Sequence, residues 1–179
     1  TVMAYYYLGL VNEVNRRLNE VELTSGTFSS AKGFHAIVKD AVNASLRDVY
    51  HSHYEWPFNH VLGEESLSAG TTRYAFPLDA NTIDFDTFRI IESAALGTET
   101  RRLGVLTYDE YLQSYIKQEH TSDTSYRGIP AKVFHATGNE FGVVPAPDKN
   151  YEIVYEYYRI PVDLEKYDDV PAVPERFRH

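Results

Sequence analysis

Cysteine is absent from this 179-residue chain, so disulfides and thiolate-bound zinc are excluded and the fold must rest on packing. Tryptophan and methionine occur once each. No apolar run reaches the roughly 18 residues that a membrane-crossing helix needs. Residues 5–10 are apolar but lack the basic flank and small-residue cleavage site of a secretory leader. These features argue against a small secreted scaffold. Positive charge is scarce: 17 Lys and Arg against 26 Asp and Glu leave a formal net charge of −9. Gripping nucleic acid by its phosphates requires clustered Lys and Arg, so the balance argues against it. Missing too are a G-x-S-x-G elbow, a phosphate-cradling glycine loop and a dinucleotide fingerprint.

What the chain does have is an ordinary globular composition, 43% hydrophobic and 24% charged, long enough for one domain with a real core. It also has 15 tyrosines. Tyrosine carries a large apolar face and a polar tip, which suits contacts that are both wet and tight.

Residues 4–20 place Tyr7, Leu10, Val11, Val14, Leu18 and Val21 at helical spacing, with Asn12, Glu13, Arg16, Arg17 and Asn19 on the other face. The polar stretch 24–30 breaks this helix, and Ser29 or Ser30 is placed to cap a second one over 31–53. Its apolar stripe is Ile37/Val38, Ala41, Ala44/Ser45 and Val49. One neighbouring helix cannot cover that stripe, and its small residues invite close approach by another. Pro57 is expected to stop the element, with Trp56 and Phe58 plugging the junction between helical and β-rich parts and Trp56 as a structural keystone.

From 62 to 72 the chain reads as an exposed polar loop. Residues 73–78 and 86–92 read as strands joined through 78–84. Thr107-Tyr-Asp-Glu110 is a capping box opening a short helix to about Lys117, and 120–126 is polar. Gly138-Asn139 predicts a two-residue hairpin turn pairing Ala136 with Phe141 and Phe134 with Val143. Residues 151–160 alternate Tyr151, Ile153, Tyr155, Tyr157 with Glu152, Val154, Glu156, Tyr158. The expectation is a three-stranded antiparallel meander.

Candidate chemistry is thin. His51 and His53, with Glu55 or His60, could share a metal if this segment were a strand, but an aromatic helix end explains it as well. No metal site, cofactor or catalytic residue is therefore assigned. The pairs Glu64/Glu65, Asp84/Asp86 and Asp168/Asp169 read as solvated loop charge, as does the basic pair Arg101-Arg102. Asn43-Ala-Ser45 is a glycosylation sequon by chance, inside a helix. The tyrosine stripe reads as half-buried sheet core sooner than as a sugar-binding platform.

The order of parts has a further meaning. LVNEVNRRLNEV is followed by AVNASLRDVYHSHYEWPFN, then strands, PAPDKNYEIVYEYYRIP and a closing VPAVPERF. That succession resembles the head-to-tail adaptor (tail tubular, or connector ring) proteins of tailed bacteriophages. The resemblance implies an α+β protomer in one adaptor-like domain: a helical part at 1–60, a β-rich part at 61–170, and the start of a closing helix or tail at 171–179, with Pro174 at its first turn. The rest of the closing helices is expected beyond this chain, in a longer natural protein. The family picture further implies a non-enzymatic virion protein of the neck or tail, assembled in the host cytoplasm. It would form a homomeric ring, commonly dodecameric, between the portal protein and a tail tube or nozzle protein. DNA would pass through it without sequence-specific binding, and no membrane would be involved. Polar loops are where such a scaffold meets partners, which nominates Glu64, Glu65, Ser66, Ser68, Thr121, Ser122, Asp123 and Tyr126 as interface residues. Trp56, Pro57 and Phe58 are nominated as structural. The rival reading is a carbohydrate-binding β-sandwich module of a phage or bacterial surface protein, which explains the tyrosines but not the leading helices.

Overall fold

The amphipathic spacing near the start of the chain folds as α1 (Tyr7–Arg17) in the computed structural model, which describes residues 5–94 and 97–177. The chain divides into two compact units, 1–59 with 160–179 and 60–159. Residues 160–170 thus go with the helices rather than with the β-rich part.

In the helical unit, α1 ends in a basic last turn where Arg17 pairs with Glu13 one turn back, at 2.7 Å. A positive φ at Asn19 then turns the chain. The break at 24–30 contains a one-turn helix, α2 (Ser25–Phe28), with a Thr24/Thr27 capping box. The long helix α3 is Phe34–Ser52. Neither Ser29 nor Ser30 caps it. Ser29 closes α2, the Ser30 hydroxyl donates back to the Thr27 carbonyl, and α3 starts from Gly33 at φ +59, a conformation glycine adopts without strain.

The core of this unit gathers Tyr7, Leu8, Val11, Phe28, Val38 and Leu164. Two buried asparagines hold it together by gripping backbone at both ends of an amide. Asn12 donates to the Leu23 carbonyl and accepts from the Leu23 amide, both at 2.8 Å. Asn43 does the same to Leu164 at 3.0 Å and also donates to the Tyr7 hydroxyl. The returning segment satisfies the open end of α1 as well: the Tyr7 and Leu8 amides donate to the carbonyls of Asp169 and Tyr167. Pro174 precedes a single 3₁₀ turn, Glu175–Phe177.

Helix α3 ends at Ser52, five residues before Pro57, because His53 is already extended. The Trp56 indole then donates to the Val49 carbonyl at 3.0 Å, one of the carbonyls a helix end leaves open, and its ring stacks on Phe58. Trp56 and Phe58 are half-buried, and Pro57 opens a 3₁₀ turn, Pro57–Asn59.

The second unit is a sandwich of two four-stranded sheets. One, ordered β1-β8-β3-β4, is antiparallel throughout: β1 is His60–Leu67, β3 Ala80–Ala94, β4 Gly97–Arg102 and β8 Tyr151–Arg159. The other, ordered β2-β7-β6-β5, has β2 at Arg73–Ala75, β5 at Gly104–Leu106, β6 at Lys132–Ala136 and β7 at Glu140–Val144, with only β5 and β6 parallel. The α+β character and the mainly antiparallel pairing agree with the sequence; several details do not. Residues 62–67 are not loop but most of β1, so Glu64, Glu65 and Ser66 sit in a paired strand. Residues 80–84 belong to β3 rather than to a connection, and Arg101 and Arg102 lie in β4, paired with Glu92 and Asp86.

The hairpin register also differs by one. Thr137 joins Gly138 and Asn139 in a three-residue turn, so Phe134 faces Gly142 and His135 faces Phe141. Phe134 and Phe141 therefore point to opposite faces. Phe141, Val133 and Val143 enter the core between the sheets, whereas Phe134 and Ala136 pack beneath Tyr111 of α4 (Tyr108–Ser114). The meander is not formed either: β8 leaves β7 and runs between β1 and β3 of the opposite sheet. The inner side of β8 is as its alternation predicts, with Tyr151, Ile153, Tyr155 and Tyr157 buried. Rings fill both clusters so fully that glycine is required beside them. A Cβ on Gly142 would collide with the Phe134 ring, and one on Gly63 would lie 2.8 Å from the Tyr155 ring.

Candidate interaction surfaces

On the β unit the two polar segments nominated from sequence meet. What remains of the first, 68–72, is a tight turn tied by the Tyr74 hydroxyl, which accepts from the Ser68 amide and donates to the Thr71 carbonyl. Gly70 takes φ +78 there, against the Arg127 guanidinium. The second segment is built on the Thr107/Glu110 capping box of α4 and a further turn, α5 (Ile116–Glu119). Beyond it Asp123 caps a 3₁₀ turn, Thr124–Tyr126, by accepting from the Ser125 amide. Thr121, Asp123 and Tyr126 line one shallow hollow of about 30 Å³ together with Gly70 and Thr72. Ser68, Thr121, Ser122, Asp123 and Tyr126 are all exposed, as loop contacts require.

Glu64, Glu65 and Ser66 do not join this surface as a loop. Strand alternation sends Glu64 and Ser66 outward, while Glu65 is half-buried on the side of the core. Each keeps a fixed backbone, so whatever it meets must fit a sheet face.

Beneath the hollow lies a clasp that sequence reading missed. Arg73 on β2 makes a forked contact with Glu119, at 2.9 and 3.2 Å, and the Tyr111 hydroxyl donates to the same carboxylate. Burial pushes the Glu119 carboxyl up, but the bonds from Arg73 and Tyr111 outweigh it and hold the group below its ordinary range. Burial and the adjacent carboxylate both raise the Tyr111 phenol. Arg73 and Glu119 lie 46 residues apart, and no local spacing announces such a pair.

On the helical unit, the stripe marked by the sequence is open at Ile37, Ala41, Ala44, Ser45 and Val49, whereas Val38 is buried in the core. Ile37 is 66% and Val49 40% exposed. Leu10 and Val14 of α1 with Ala41, Val42, Leu46 and Val49 of α3 line a groove of about 480 Å³. The sequon is closed, since Asn43 is buried and bonded.

The histidine test fails on its own premise. His51 is helical, so it cannot share a strand face with His53, which instead meets Trp56 edge to face. His60, by contrast, stacks on Tyr158 with ring centroids 4.5 Å apart. Its Nε2 lies 3.2 Å from the Glu156 carboxylate. The tyrosines that suggested a sugar platform, Tyr151, Tyr155 and Tyr157, are core.

The chain is thus a helical unit interrupted by a β-sandwich insertion, with an apolar groove on one and a polar loop cluster on the other. The chain matches the family model of the SU10 adaptor protein over residues 5–179 and belongs to that family of head-to-tail adaptors. It is a structural protein of the virion tail connector and not an enzyme. No curated protein matches it. Among the described residues no helix is long and apolar enough to cross a membrane.

Proposed function

We propose that this adaptor assembles as a closed homomeric ring between the portal protein and the next tail or neck component, with a channel through which DNA passes. A dodecamer is the expected stoichiometry. The reading rests first on membership of the family across 5–179. The observation that supports a ring is that the chain carries two chemically different contact surfaces. One is the apolar groove between α1 and α3, the other the polar cluster at 68–72 and 118–127. Heterologous contacts that close by rotation need two unlike faces on each protomer. The groove accepts a further apolar helix, and the polar cluster meets a neighbouring subunit or ring. A net charge of −9 keeps DNA from adhering.

The test is assembly with purified portal, imaged by electron microscopy. Rings seated on the portal are expected; failure to join it under any condition would count decisively against the proposal. Replacing 69–71 and 120–125 with Gly-Ser should leave the protomer folded and impair tail assembly. Intact tails from both replacements would move the contacts to the strands.

A further inference from the structure

We infer that His60, Asp84 and Glu156 form a binding site for a divalent cation of the zinc class, on the outer face of the β1-β8-β3 sheet. The three side chains come from three adjacent strands, and one ligand atom from each lies within 4.8 Å of the others. Register explains the convergence. Asp84 is paired directly with Glu156, and His60 is paired with Tyr158, two residues along on the same face.

Two independent features point to a cation. Asp84 and Glu156 are like charges directly opposite on neighbouring strands, an arrangement that destabilises a sheet unless something positive lies between them. The His60 Nε2 is buried and makes no hydrogen bond among the described residues, although it approaches Glu156 to 3.2 Å. The two atoms make an ion-pair contact without hydrogen-bond geometry, so the imidazole nitrogen's hydrogen-bonding capacity stays unmet. Buried polar atoms without partners are uncommon and call for an explanation.

The surroundings are built to hold this geometry. Tyr158 stacks on the imidazole at an interplanar angle of 10° and fixes its plane. At the irregularity between Asp84 and Arg89, the Thr87 hydroxyl accepts from the Glu156 amide and donates to the Asp84 carbonyl, locking the two acidic residues together. One Asp84 oxygen accepts from the Asp86 amide. Asp86 itself is engaged by Arg102 at 2.7 Å and stays outside the set. Imidazole with two carboxylates suits zinc and similar ions, with water completing the shell. Ligand atoms about 2.0–2.2 Å from a tetrahedral ion stand about 3.4 Å apart, a contraction that side-chain rotation supplies. The ion would cross-link three strands and neutralise the opposed carboxylates.

The test is Zn²⁺ titration of the untagged, EDTA-treated protein by calorimetry, with urea denaturation run in EDTA and in Zn²⁺. One saturable ion per chain is expected, with denaturation shifted to higher urea by the metal. Asp84→Asn and Glu156→Gln should each weaken binding by more than about tenfold. In EDTA both variants should be at least as stable as the parent, since they remove the opposed charge, and both should gain less from Zn²⁺. A His51→Ala/His53→Ala variant should bind like the parent. No saturable binding would overturn the site. So would binding that survives both carboxylate variants, or binding abolished by loss of His51 and His53.

Discussion

The two units solve the same problem with opposite means. The β unit closes on itself: Tyr74, Phe76, Phe88, Phe141 and Tyr155 form one network of rings between two sheets, and the glycines beside such rings leave room for them. The helical unit stays open on one side. Its core is smaller, it depends on asparagines that grip backbone, and it leaves Ile37 and Val49 in solvent. A self-sufficient core needs no partner to be stable, whereas an apolar groove is a defect until something fills it. If assembly fills that groove, as proposed, rigidity and readiness to assemble belong to different parts of one adaptor chain.

The comparison breaks most severely at Phe141, which is fully buried and touches four other rings. Phe141→Ala should destabilise the β unit by about 3–5 kcal/mol, measured by urea denaturation. A loss near zero would mean that the ring network is not what holds the sandwich.

In the helical unit the corresponding weak point is polar. Asn43→Ala strands both the amide and the carbonyl of Leu164, and should remove about 2–3 kcal/mol, since each buried unsatisfied group costs about 1–3 kcal/mol. Amide exchange should rise at Leu164 and leave β8 unchanged. If β8 exchanges equally fast, the units do not hold separately.

Periodicity decides how much of this was legible in the sequence. Residues 151–159 could be read because a half-buried strand alternates every residue, and α1 and α3 because their apolar spacing repeats each turn. Strand β1 escaped. Its inward positions include Gly63, which has no side chain to show, and Glu65, whose charge suggested a loop. The hairpin register escaped because Thr137 can serve as strand or turn. The groove was visible in advance as a stripe too wide for one partner. The Arg73–Glu119 clasp and the meeting of His60 with Glu156 join residues far apart in the chain, so only the fold reveals them.

The clasp sharpens the comparison through pH. Glu119 is held below its ordinary range, so the stability it contributes is present above its unfolded value of about 4.3 and is lost as pH falls through the depressed folded value. Glu119→Gln should cost about 0.2–1 kcal/mol at neutral pH and nothing measurable in strong acid. A deficit that stayed constant with pH would show that packing rather than charge is involved.

At the alkaline end each unit contains a sensitive reporter. Burial, aided by nearby Asp40 and Asp163, pushes the Tyr7 phenol up to about 12; burial, aided by Glu65, does the same for Tyr155. A raised folded value means stability that is intact below about pH 10 and declines as pH rises through about 12. Phenolate absorbance should therefore show a late component, diminished in Tyr7→Phe and in Tyr155→Phe. The two should separate in time. Tyr155 lies in the closed ring core and should ionise only with global opening, while Tyr7 sits in the core that lacks a cover and should ionise through local opening first. Filling the groove, as the proposed assembly would, should delay the Tyr7 component and leave that of Tyr155 where it was. If both tyrosines ionise together, whether the groove is filled or not, the two cores open as one and the division of labour between them fails.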